Sequence, residues 1–265
     1  MPDNNAASAA KRKKGNQSWR KPQGQIETGD SGVFVTCDMG REGKCTAEVL
    51  DIFSQAIEER NDGEKGQESE EDEDDIEAQI RKEVEGLKPG KDKPRKFQSI
   101  KVDVPCLTFV RLDKSIDPVE LTHRLCVEAR ANPEKKRSRW IKRIIPVTSI
   151  RKTLSVDLEA FAKEILKPHF HSGGPPKKYA IRPSVRNNST FNRDTVIKTV
   201  ASAVGPGHRV DLKNYDLIIL VDIVQNIIGM SVVGSDYDQL KRFNLAELYN
   251  PVSNEEAKEK TDSKS

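Results

Sequence analysis

The stretch Asp216 to Val224 does most to limit what this chain can fold into. It holds the longest apolar run in the sequence, Leu217 to Val221. The run shows no alternation, so both of its faces need cover, and it reads as a central strand of a sheet. It is far too short to span a bilayer, so no membrane partner is expected. Neighbouring segments supply the cover. Tyr179 to Ser184 reads as a strand before it and Ile227 to Val233 as the last strand after it. Between them, Asn192 can cap a helix with the apolar face Val196, Ile197, Val200, Ala201 and Val204, stopped by Gly205-Pro206-Gly207. A helix after Ser155 carries Leu158, Phe161, Ala162, Ile165 and Leu166 on one stripe, and Pro168 is expected to end it.

The upstream half has a different order. Val33 to Cys37 is a β-prone run, and Val49, Ile52, Phe53, Ala56 and Ile57 fall on one helical face. Phe97 to Val102 and Cys106 to Leu112 read as two strands with a turn near Asp103 and Pro105. Asp117-Pro118-Val119-Glu120 is a helix start, with a cap, a first-turn proline and an acid at the capping-box position. Leu121, Leu125 and Ala129 line that helix, and Trp140 to Val147 is the next strand. The order β-α-β-β-α-β is that of a ferredoxin-like unit. The fold class is therefore α+β: residues 31–148 form a ferredoxin-like domain and 149–235 a second α/β domain.

Charged residues make up 33% of the chain and hydrophobic ones only 35%, so part of the sequence is expected to stay solvated. Residues 1–30 read as a disordered basic tail, about 61–96 as a flexible acidic insertion, and 236–265 as a C-terminal extension and disordered tail. Ile76 to Leu87 can form a loose helix within the insertion. The basic cluster Lys11 to Lys14 is compatible with a nuclear address, an extra phosphate-binding arm or a merely soluble tail. The four cysteines, Cys37, Cys45, Cys106 and Cys126, form no C-x-x-C pair. No secretory signal is visible, so they are expected to be reduced, mostly buried thiols.

Net charge is only +3, but its signs are segregated. Acid gathers between Glu64 and Asp75, and base gathers from Arg130 to Lys213. Arg130 to Lys152 holds a run of Lys and Arg against the single acid Glu134, and includes Lys142 and Arg143. Lys177, Lys178, Arg182, Arg186 and Arg193 follow, with Asp194 and Asp211 the only acids between Lys167 and Lys213. Such a surface favours phosphates, because each one neutralised releases condensed counterions. Arg can also hold a phosphate bidentately. Asn187, Asn188, Ser189 and Thr190 add short donors and acceptors suited to sugars, phosphates or base edges. The expected RNA-binding residues are Lys142, Arg143, Lys177, Lys178, Arg182, Arg186, Asn187, Asn188 and Arg193. No glycine-rich cofactor loop, Walker loop or nucleophile elbow is present. No catalytic residue, cofactor or metal is expected. His169 and His171 lack further ligands nearby in sequence. Asp222 reads as a hydrogen-bonded strand residue rather than a functional carboxylate.

At this point the residues resemble a known family. Arg186-Asn187-Asn188-Ser189 with Asn192-Arg193, then Val210-Asp211-Leu212, then the Asp216 to Val224 strand, are similar in order and spacing to a THUMP domain. Phe34-Val35-Thr36-Cys37, Phe97-Gln98-Ser99-Ile100, Lys142 to Val147 and Lys241-Arg242-Phe243-Asn244-Leu245 resemble the eukaryotic THUMP-domain tRNA acetylation adaptors. The resemblance implies tRNA binding by the THUMP domain and its ferredoxin-like partner. It implies an adaptor without enzymatic activity, presenting serine and leucine tRNAs to a separate RNA cytidine acetyltransferase for N4-acetylcytidine formation in the D-stem. The absence of a recognisable enzyme domain after residue 248 fits that branch. The implied location is the nucleus or nucleolus, with the cytoplasm left open, and the chain by itself is expected to be monomeric. A THUMP-type protein of rRNA processing, or a tRNA-modifying transferase with an unrecognised site, remains the alternative.

Overall fold

The structure, a computed structural model, describes residues 24–65 and 96–250. The basic cluster Lys11 to Lys14, the segment Ile76 to Leu87 and the tail from Pro251 lie outside the described residues.

The first unit is built from β1 (Gly32–Cys37), α1 (Glu42–Lys65), β2 (Phe97–Lys101), β3 (Leu107–Leu112), α2 (Pro118–Ala131) and β4 (Ile141–Val147). Its strands pair antiparallel in the order β2-β3-β1-β4, the ferredoxin-like arrangement. The local signals act as the sequence demands. Asp117 accepts a hydrogen bond from the Val119 N–H at 2.8 Å and so caps α2, with Pro118 in its first turn. Val49, Ile52, Phe53 and Ala56 of α1 and Leu121, Leu125 and Ala129 of α2 are buried in one core with β1 and β3.

The second unit comprises β5 (Ser149–Lys152), α3 (Leu158–Phe170), β6 (Lys178–Arg186), α4 (Arg193–Val204), β7 (Arg209–Val210), β8 (Leu217–Val224) and β9 (Ile227–Gly234). The sheet order is β5-β9-β8-β6-β7. β8 lies at its centre, buried along nearly its whole length, as its unbroken apolar run requires. β6 runs parallel to β8, and α4 makes the crossover between them. Asn192 caps α4 by accepting from the Asp194 N–H at 2.9 Å, and Gly205 closes it at φ 85°, a backbone region that favours glycine.

The units meet along a seam. β4 leads into β5 with only Thr148 between them, and β5 pairs with β9. The Thr148 N–H donates to the Met230 carbonyl at 3.0 Å, and the Ser231 hydroxyl donates to the Pro146 carbonyl at 2.8 Å. At Gly229 a Cβ would sit 2.7 Å from a Val147 methyl, so only glycine lets β9 approach β4 this closely. Ile218, Leu220 and Val224 on one face of β8 join the core of the first unit. Ile219, Val221 and Ile223 on its other face pack against α3 and α4.

The C-terminal extension folds back onto the first unit. Tyr237, Leu240, Phe243, Leu245 and Leu248 are buried in its core, and the last two belong to a short helix, α5 (Leu245–Tyr249). The turn before α5 places Lys241, Arg242 and Phe243 at φ 52°, 57° and 57°. Each left-handed non-glycine residue costs on the order of 1 kcal/mol. Burial of Phe243, at roughly 2 kcal/mol for a large apolar side chain, offsets much of that strain. Two backbone hydrogen bonds also fix the turn, from Arg242 N–H to the Tyr237 carbonyl and from Ile144 N–H to the Phe243 carbonyl, at 2.8 and 3.0 Å.

Some expected boundaries move. Residues 24–30, read as the end of a disordered tail, are folded. Ile26 is buried, Arg111 donates to the Gln25 carbonyl, and Lys152 donates to the Ile26 carbonyl. One apolar residue among polar ones carries no periodic signal, so the contact is invisible in sequence. α1 continues to Lys65, past the Asn61 start of the expected insertion. Pro168 lies inside α3 rather than ending it. Phe170 holds the last turn in place, buried edge-on against Tyr179 and His208. Of the cysteines, all free, Cys37, Cys45 and Cys126 are buried and Cys106 is partly exposed.

Candidate nucleic-acid interface

The period-2 alternation of β6 divides its side chains between two surfaces. Tyr179 packs among α3 and α4, while Ala180 joins the core at the seam. Arg182, Ser184 and Arg186 share the Ala180 side and therefore face the seam. In β8, Asp222 stands beside Ser184 in the parallel register and hydrogen-bonds its side chain. From the first unit, Arg143 of β4 comes within electrostatic reach of Asp222. The C-terminal extension adds Tyr237, Asp238 and Arg242. Tyr237 is within electrostatic reach of Asp222, Arg143, Arg182 and Arg242.

The resulting cluster is unevenly charged. Asp238 accepts from Tyr215 at 2.8 Å, from Arg242 at 2.9 Å and from Arg182 at 3.3 Å. Burial opposes its ionisation, but the Arg242 and Tyr215 hydrogen bonds and the Arg182 charge outweigh burial and hold it below its ordinary value. Asp222 behaves in the opposite way. Burial pushes its carboxyl up to about 6, against the pull of Arg186, Ser184 and Arg143. Burial and the Asp222 charge push the Tyr237 phenol up to about 12. At neutral pH the four arginines therefore face two carboxylates and an un-ionised phenol, which leaves an excess of positive charge along the seam. Arg182 also lies over the Tyr237 ring, 5.9 Å from its centroid. The Nε of Arg143 is buried without a hydrogen-bond partner among the described residues.

The sequence-predicted residues separate into groups. Arg143, Arg182 and Arg186 converge on the seam. Asn187, Asn188 and Arg193 lie just beyond the C-terminal end of β6. Asn187 takes a left-handed φ of 51°. Asn188 has both ends of its amide engaged, donating to the Gln225 carbonyl at 2.6 Å and accepting from the Thr190 and Phe191 N–H groups at 2.9 Å. It therefore shapes the loop that carries Asn187. Arg193 is the exposed first residue of α4. Lys177 and Lys178 stand at the other end of β6, about 26 Å from Arg186 at the usual strand rise. Lys177 donates to the His169 carbonyl at 2.8 Å, and Lys178 lies 3.8 Å from Asp211. Lys142 occupies a bulge, where the pairing steps from Thr36↔Arg143 to Cys37↔Ile141, and it pairs with Asp38 at 3.3 Å. Sequence reasoning did not assign Tyr237, Asp238 or Arg242 to the site, although Arg242 lies in the Lys241 to Leu245 segment that carries the resemblance. The spacing of Tyr237, Leu240 and Phe243 was the available signal that this segment is folded.

The fold of the second unit has a family counterpart. The model of the THUMP domain matches residues 155–233, which run from just before α3 almost to the end of β9. Over most of the chain, the budding-yeast protein named tRNA acetyltransferase TAN1 (Saccharomyces cerevisiae) is 31% identical, covering 88% of this chain and 89% of that one. This chain belongs to that THUMP-domain family. The uncharacterized protein C25H2.10c of Schizosaccharomyces pombe is 37% identical, over 86% of this chain and 79% of its own length. THUMP domain-containing protein 1 of Homo sapiens is 30% identical, over 84% of this chain and 65% of its own. The THUMP match ends before Tyr237 and Arg242. The seam cluster therefore joins a THUMP sheet to residues from the ferredoxin-like unit and the extension.

Proposed function

We propose that this chain is a tRNA-binding adaptor that presents serine and leucine tRNAs to a separate RNA cytidine acetyltransferase, for N4-acetylcytidine formation in the D-stem. Membership in the family of a protein named for tRNA acetylation supports the tRNA-modification part of this reading. The observation that carries the RNA-binding part is the convergence of Arg143, Arg182, Arg186 and Arg242 on one seam against Asp222 and Asp238. Arginines at such a place hold phosphates bidentately and stack on sugars or bases.

In this reading the chain positions and does not catalyse. Its arginines stay protonated, and phenols pushed up to about 12 are poor bases at neutral pH. Holding the tRNA raises the effective concentration of the target cytidine at the partner's active site. The chain by itself is a monomer and acts in the nucleus or nucleolus, with the cytoplasm left open.

The test is reconstitution with acetyl-CoA and ATP. This protein alone is expected to leave serine and leucine tRNAs unmodified, and adding the acetyltransferase is expected to produce acetylcytidine. Arg182→Glu with Arg186→Glu should remove that product. Acetylation by this protein alone, or undiminished acetylation by the partner without it, overturns the reading.

A further inference from the structure

A second group of cations lies on the ferredoxin-like unit, around Trp140. Trp140 immediately precedes β4 and is partly exposed. Arg41 in the turn before α1, Lys44 in the first turn of α1, and Arg139 approach its ring at 5.0, 5.1 and 4.9 Å from the centroid. Indole is the strongest aromatic partner for a cation, which explains how one ring gathers three. All three cations are exposed. None of them forms an ion pair among the described residues. The nearby carboxylates accept from other groups, and Glu42 accepts from the Cys106 N–H at 3.0 Å. Glu48 accepts from the Ser138 hydroxyl and from the Arg139, Trp140 and Ile141 N–H groups, at 2.8 to 3.3 Å. Asp38 pairs with Lys142.

Glu48 thus fixes the backbone that presents Arg139 and Trp140, while the ring holds the cations together against their mutual repulsion. Concentrated, exposed and unpaired positive charge on a fixed platform is what a polyanion's phosphates need. The direction of β4 adds to this. Arg143 of the seam is three residues from Trp140, about 10 Å along the strand, with Lys142 on the bulge between them.

We propose that Arg41, Lys44 and Arg139, gathered on Trp140, form a second site for RNA backbone phosphates. Bound RNA then runs along β4 from this site to the arginine seam. The proposal rests on the RNA-binding reading above.

The experiment measures the affinity of the full chain for tRNA over a range of salt concentrations. Three proteins are compared: the unaltered chain, Arg41→Gln/Lys44→Gln/Arg139→Gln, and Arg182→Glu/Arg186→Glu. The neutral triple variant should bind at least tenfold more weakly at low salt. Its plot of log affinity against log salt should be shallower by about 2, since each phosphate contact contributes roughly 0.7 to 0.9 to that slope. The thermal midpoint of the triple variant should match that of the unaltered chain, because its three altered side chains are exposed. A second readout uses Trp19→Phe, which leaves Trp140 as the sole tryptophan. Its emission should change on adding tRNA. If the triple variant keeps the original slope and Trp140 emission stays constant while the seam variant loses binding, the second site is wrong and the RNA-binding reading stands. If the seam variant also binds normally, both fall.

Discussion

On the face of the five-stranded sheet covered by α3 and α4, Ile219, Val221, Ile223, Ile228 and Met230 form an apolar layer with Phe161, Leu166, Val196 and Val200. On the opposite face the same strands carry Ile218 and Leu220 into the core of the first unit, then turn to Arg182, Ser184, Arg186 and Asp222. The first face is an apolar packing layer. The second is half structural and half charged, and its charged half needs Arg143 and Arg242 from outside the THUMP match to be complete. A single strand, β8, thus serves both purposes. Its alternation keeps the two sets of side chains apart by the thickness of a sheet.

This contrast predicts that stability and RNA affinity respond separately to mutation. The largest effect is expected from Ile219→Ala on the helix-covered face. It opens a cavity in a fully buried layer and should cost about 4 kcal/mol in chemical unfolding. The fraction still folded should bind tRNA as before, and a fall in its affinity breaks the separation. Arg182→Glu with Arg186→Glu should act mainly on binding, removing roughly 3 kcal/mol of tRNA affinity at low salt, while the loss of the Arg182 pair with Asp238 lowers the thermal midpoint by less than Ile219→Ala does. Lys177→Glu with Lys178→Glu, at the far end of β6, should lose less than about tenfold, because these lysines lie apart from the seam. Equal losses from the two pairs in a binding titration indicate a diffuse basic surface rather than a seam.

Asp222 makes the charged face sensitive to pH. Its folded pKa of about 6 lies above its ordinary value of 3.8, so the folded state holds the proton more tightly. The stability from that protonated form is complete below about pH 4, falls as pH rises to about 6, and is absent above it. A two-unit shift limits the effect to about 3 kcal/mol. Asp222→Asn should therefore raise stability at pH 7.5 by about 2 kcal/mol. It should also flatten the part of the stability profile between pH 4 and 6 that differs from the unaltered chain. A variant that is less stable at pH 7.5 means that the arginines need the Asp222 charge more than burial penalises it.

A further effect concerns the approach of the two units. Gly229→Ala puts a methyl group against Val147 and should cost about 2 kcal/mol by overpacking. Combining it with Val147→Ala should recover part of that loss in a double-mutant cycle. Strict additivity places the strain elsewhere.

The elements and their classes are legible in the amino-acid sequence. The unbroken run of β8, the stripes of α1 to α4 and the caps at Asp117 and Asn192 are local properties, set by period and by backbone hydrogen bonding within a few residues. Basic composition marked Arg143, Arg182 and Arg186 for the same reason. Tertiary packing selects which cations share a place. It put Lys178 and Arg186 at opposite ends of one strand. It brought Arg242, from a segment whose composition suggested only an extension, against residues far away in sequence. It also gave β5, too short and polar to show alternation, an edge to complete. It changed the meaning of Asp222, which reads as an ordinary strand residue until burial and the neighbouring arginines set its charge. Local periodicity fixes which side chains share a face. What covers that face depends on how the units pack, and packing alone determines which charges lose their water and which keep it.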